Sequence, residues 1–222
     1  MNRMQRPLIH VSALALIAFG VITTAFAGGA DGRVSTGFET MLASLPIPAG
    51  YGRVRDADIA VDGSPARLIR YERRDGRNPG LGGEHFSVVV DLSGKLKGFT
   101  RMDMALRDGT LPSQEEARTI AMRFLSSHAP DLLPNLRISF IAPHDEQVRV
   151  EGGPVTLPGM KVKMRDTADG RWFWVIVGAD REVMVFERDI VWANLQGRRT
   201  TELWLHDGWL VENTGRLRPR DA

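Results

Sequence analysis

Two stretches of the chain, 87 positions apart, repeat one alternation of apolar and polar residues. "FSVVVDLSGKLKGFTR" occupies residues 86–101 and "FWVIVGADREVMVFER" residues 173–188. Laid over one another without a gap, they share Phe86/Phe173, Val88/Val175, Val90/Val177, Phe99/Phe186 and Arg101/Arg188. A two-residue period in β-branched and aromatic side chains is the signal of a strand. Asp91-Leu92-Ser93-Gly94 interrupts the first run with turn chemistry and "GADRE" interrupts the second, so each copy predicts a β-hairpin. Ahead of each hairpin another alternating stretch, at 66–74 and 159–166, predicts one more strand. The shared Phe/Val set is the predicted core face, which leaves Ser87 and its counterpart Trp174 on the opposite side, with Trp172 beside it.

Between the copies the period lengthens to that of a helix. Ala117, Ile120, Ala121, Phe124 and Leu125 recur on one stripe, and Ser113 with Glu116 forms a capping box behind Pro112. The helix is expected to stop before Ala129-Pro130. A shorter helical stretch at 35–46 stands in the matching place ahead of the first copy. The order helix, strands, helix, strands predicts an α+β fold of two tandem units, each an antiparallel β-sheet with one helix packed on one face. The expected division is 28–108, 109–211 and a disordered tail at 212–222.

Composition changes the picture at the N-terminus. Arg3 and Arg6 precede an apolar run that ends in "TTAFA", with small Ala25 and Ala27 where a signal peptidase reads. Residues 1–27 are therefore expected as a cleaved signal peptide, the alternative being an uncleaved anchor of bilayer length. Export places the protein in the periplasm or outside the cell, with no stable membrane span after cleavage. Of 29 Lys+Arg and 27 Asp+Glu, the leader holds two arginines and no acid, so the mature chain is formally neutral. That argues against nucleic acid as a partner. With no cysteine, the chain has neither disulfides nor thiol chemistry.

"LPSQEEARTIAMRFL" resembles the opening helix of a PepSY domain, and "FSVVVDLSGKLKGF" its closing hairpin, where Asp and Gly flank the turn. The family occurs in the propeptides of thermolysin-type metalloproteases and as free or membrane-attached exported proteins. The resemblance implies a helix laid across an antiparallel sheet and a role in restraining peptidases. Each unit matches in two short windows, and the second departs at Arg181, where the turn glycine is missing.

No catalytic motif stands out. "PHDE" (143–146) and "LHD" (205–207) set His144 and His206 beside carboxylates, but neighbours on an extended chain point to opposite sides and chelate one ion poorly. H-E-x-x-H is absent, Ser93 and Lys95 do not make S-x-x-K, and "GRNPGLGG" (76–83) lies between strands rather than before a helix. That loop is read as flexible, with recognition as its functional reading. No metal, no cofactor and no catalytic residue is expected, and the chain is not read as an enzyme. A metal-assisted hydrolase using His144 and His206 stands as a third reading.

All five tryptophans lie at Trp172, Trp174, Trp192, Trp204 and Trp209. Asp207-Gly208 within "TELWLHDGWLV" is favoured hairpin-turn chemistry, a register that turns Trp204, His206 and Trp209 outward. Trp172, Trp174, Trp204, His206 and Trp209 are thus the candidate partner-binding residues, since exposed apolar patches mark contact sites. Burial of that face between the two units is the alternative. The function expected is a non-catalytic, exported module that binds an envelope or extracellular protein, a peptidase being one candidate. The second reading is an envelope module that binds a glycan or lipid on the same aromatic face.

Overall fold

Ser113 opens the long helix as its sequence predicts. Its hydroxyl accepts from Glu116 N at 3.2 Å while Glu116 Oε2 accepts from Ser113 N at 2.7 Å. A computed structural model describes residues 38–193 and 197–220 of the chain. The expected signal peptide at 1–27 lies outside the described residues. In chain order the elements are α1 (38–43), β1 (Tyr51–Val61), β2 (Ser64–Arg73), β3 (His85–Asp91), β4 (Leu96–Met102), α2 (Gln114–His128), β5 (Leu136–Val150) and β6 (Gly153–Asp166). They continue with β7 (Trp172–Gly178), β8 (Val183–Ile190), β9 (Trp192–Ala193), β10 (Arg198–Arg199), α3 (Asp207–Asn213) and β11 (Arg218–Pro219).

The two repeats do not build two units. Among the described residues, nine strands form one antiparallel sheet in the order β11-β1-β2-β3-β4-β8-β7-β6-β5. The expected division at 108/109 fails because β4 pairs directly with β8, Gly98 opposite Glu187, Phe99 opposite Phe186 and Thr100 opposite Val185. Phe99 and Phe186 are counterparts in the repeat, so the copies meet back to back about that pair. Strand edges left open by two separate sheets would invite pairing, and here each closes the other. Gly98 makes the approach possible: a Cβ there would lie 2.5 Å from Phe186 O and 2.8 Å from Leu205 Cδ1. Gly98→Ala is expected to destabilise the fold by about 1–3 kcal/mol, the usual range for overpacking, as read by urea unfolding.

The second copy keeps the first copy's turn without its glycine. Gly94 has φ 85° and its N–H donates to Asp91 O at 3.0 Å; Arg181 has φ 65° and donates to Gly178 O at 3.1 Å. The left-handed arginine is held by its own side chain, whose Nη1 donates to the Ala179 and Thr110 carbonyls.

One sheet face carries the main core. Phe86, Val88, Val90, Phe99, Phe173, Val175, Val177 and Phe186 pack there against Phe38 and Leu42 of α1 and Ala117, Ala121, Phe124 and Leu125 of α2. The opposite face is also covered, by two different pieces of chain. Trp204, Leu205 and Leu210 pack over Ile59, Leu68 and Val89 at one end. At the other, Val148 and Leu157 from the long β5–β6 hairpin pack with Trp174, Ile176 and Val185. Residues 212–220, expected as a disordered tail, belong to this cover: β11 pairs with β1, and Arg220 Nη1 donates to Asp58 Oδ1 at 2.9 Å.

Candidate functional site

The alternation of β2 sends Arg70 and Glu72 to the face away from α2. Arg70 is 1% exposed, yet its guanidinium is well supplied with acceptors. Nε donates to Glu72 Oε1 at 2.7 Å, Nη1 to Asp207 Oδ1 at 2.7 Å, and Nη2 to Asp207 Oδ2 at 3.0 Å and Gly80 O at 2.9 Å. A two-pronged fork on a carboxylate is the strong form of this contact. Asp207 Oδ2 also accepts from Gly82 N. Burial opposes charge on Asp207, but the His85 ring, Arg70 and the Gly82 N–H outweigh it, holding its pKa below the ordinary carboxylate value.

Asp207-Gly208 is therefore not a hairpin turn. The residues start α3, and Asp207 is recruited by an arginine 137 positions earlier. The glycine-rich loop is ordered by the same network. Glu72 Oε2 accepts from Gly80 N at 3.0 Å, and Gly82 O accepts from Arg149 N of β5 at 2.7 Å. Gly83 is obligatory there, since a Cβ would fall 1.8 Å from Asn78 O.

His85 stands beside the Arg70–Asp207 pair. It lies opposite Glu72 in the β2–β3 register, 3% exposed, with Nδ1 2.8 Å from Gly83 O and 3.5 Å from Asp207 Oδ2. A carbonyl can only accept, so Nδ1 carries the proton. Burial, then the positive charge of Arg70, pushes the His85 pKa down to about 4. At neutral pH the ring is uncharged and Nε2 offers a lone pair. Neither His85 Nε2 nor the buried Thr100 Oγ1 has a hydrogen-bond partner.

Both residues border a cleft of about 440 Å³, within the range of small-molecule sites. Met102 and Val185 give it an apolar floor; Asp145, Glu146 and Gln147 of β5 form one wall, and Leu205, His206 and Gly208 the other. Behind His206 lies a buried carboxylate: Glu187 Oε2 is 3.2 Å from His206 Nε2, and Glu187 Oε1 is 2.9 Å from Arg199 Nη2. Burial alone would raise the Glu187 pKa, but His206 and Arg199 bring it down to about 2. Burial likewise opposes the His206 cation, and Glu187 overrides it, raising the His206 pKa. A larger groove of about 610 Å³ runs along β1, but Arg216 and Arg220 on its rim are engaged by Glu202 and Asp58.

The predicted aromatic face is dispersed. Trp174 is 6% exposed under Lys161, whose Nζ sits 4.3 Å from its ring centre, and Trp172 is half-buried under Lys163. Trp204 is 3% exposed and donates from Nε1 to Ala60 O at 2.7 Å, with Trp209 edge-on at 4.7 Å. Of the five candidates only His206 lines the cleft. The expectation of a solvent-facing second surface fails because the β5–β6 hairpin and the segment 201–220 add a layer over it. One sequence signal did bear on the cleft: the first-copy counterparts of Trp172 and Trp174 are His85 and Ser87. Small or polar side chains stand where the other copy fills space with indole.

His144, the other half of the metal reading, has Nε2 3.3 Å from Glu146 Oε1. Among the described residues no three His, Asp or Glu side chains are grouped to hold a metal ion, and no helix is long and apolar enough to cross a membrane. No family of known proteins, no curated protein and no solved structure matches this chain.

Proposed function

We propose that this chain is an exported, non-catalytic binding protein of the cell envelope, and that the cleft between the β5 tip and the start of α3 holds a small ligand. The observation that carries the reading is His85, which borders a cavity of ligand size and whose buried Nε2 has no partner. Leaving such an acceptor unsatisfied costs about 1–3 kcal/mol, which a ligand donor recovers on binding. Export is supported by the leader-like residues 1–27. Binding without catalysis is supported by the surroundings of the imidazole: no hydroxyl is bonded to Nε2, and Asp207 is committed to Arg70 and Gly82. A protein partner such as a peptidase, or a glycan or lipid stacked on tryptophan, drew on an open aromatic face. Burial of Trp174 and Trp204 leaves the small-ligand reading better supported.

Gly208 provides the test, because it borders the cleft and a Cβ added there meets no atom within 4 Å. Wild type and Gly208→Trp are incubated with the small-molecule fraction of an envelope extract, washed, denatured and analysed by mass spectrometry. A compound retained by wild type and lost from the variant is expected. Equal retention by both removes the cleft as the site.

A further inference from the structure

The groups around the cleft differ in what they ask of a ligand. His85 Nε2 can only accept, because Nδ1 already carries the ring proton to Gly83 O. Thr100 Oγ1, 2% exposed and without a partner, can accept as well as donate. At the mouth, Asp145 is exposed and Glu146 sits beside it. The nearby positive charge of Arg70 is spent on Glu72 and Asp207. His206 also faces the cleft, and its Nε2 is engaged by Glu187 Oε2. An anionic ligand would meet Asp145 and Glu146 at the mouth. Met102, Val185 and Leu205 supply the apolar surface.

Resting on the cleft as the binding site, we infer that its ligand carries a protonated primary amine on a short apolar body. An ammonium has three donors and no acceptor, which is the complement of an imidazole lone pair, a hydroxyl and a carboxylate at the rim. An alcohol brings one donor and no charge. Hydrogen bonds from a charged donor are the stronger kind, and the buried, unpartnered Nε2 of His85 favours a strong donor.

Three probes of one shape separate the possibilities: phenethylammonium, 2-phenylethanol and 3-phenylpropanoate. Each is titrated at pH 7 into the 15N-labelled protein, reading the His85 ring nitrogens by NMR. The amine alone is expected to move the Nε2 resonance towards its hydrogen-bonded position. Gly208→Trp is expected to abolish that movement, and Asp145→Asn to weaken the amine about threefold, as for an exposed ion pair. If the alcohol or the carboxylate moves His85 as strongly as the amine, the ammonium assignment falls and the cleft stands. If none of the three moves His85 in wild type, both fall.

Discussion

Arg70→Met is expected to cost the fold about 3–5 kcal/mol, the range for breaking a buried ion pair by removing one partner. Methionine keeps an apolar side chain at the position but takes from Asp207 and Glu72 the cation they share. Gly80 O and Gly82 N also lose their organiser, so three separate pieces of chain are affected: β2, the 76–83 loop and the start of α3. Arg70→Lys is expected to recover little, because one ammonium cannot form the fork on Asp207 and reach Glu72 as well. The check is urea unfolding of wild type and both variants at pH 7. A loss below about 1 kcal/mol for the methionine variant, the scale of an exposed pair, would show that the network is only decorative.

Acid should begin to weaken the fold near pH 6.5, above the ordinary carboxylate range, and His85 sets the window. Its folded pKa of about 4 lies below the ordinary 6.5, so between those values the unfolded chain binds a proton that the folded chain refuses. Stability therefore falls as pH drops from about 6.5 to 4, by about 3 kcal/mol in all at about 1.4 kcal/mol per pH unit. His206 does not oppose this: its pKa is raised, so its contribution is fully present below 6.5 and is lost only on the alkaline side. Glu187 and Asp207, both lowered, withdraw their contributions below about 4.5, where a steeper fall begins. His85→Asn keeps a donor towards Gly83 O and removes the titrating group. Denaturation series from pH 7 to 4.5 should slope for wild type and run flat for the variant; parallel slopes would assign the effect elsewhere.

What the sequence made legible was local. The 87-residue repeat identified both hairpins and which side of each faces the helices, because a strand's two-residue period is written in consecutive residues. The capping box at Ser113 likewise needs four neighbouring positions. Two tandem units was the wrong assembly because the β4–β8 pairing joins residues 87 positions apart, and nothing in either strand names its partner. Asp207-Gly208 departs from its sequence expectation for a related reason. Its dipeptide chemistry suits a turn, but capture by a buried arginine on β2 outweighs a local preference of that size. Alternation puts Trp174 on a second face without saying what lies over it, and the structure buries both Trp174 and Trp204. In the sequence His85 is one of five histidines; its isolation is a property of the walls around it.

The Phe99–Phe186 seam has a consequence for stoichiometry. Two identical half-chains meeting edge to edge would present the same second face twice, giving two clefts or none. Written as one polypeptide, the halves are free to differ, and they do: His85 and Ser87 on one side answer to Trp172 and Trp174 on the other. A two-fold framework thus carries one cleft of this lining, and the proposed binding function predicts saturation at one ligand per chain.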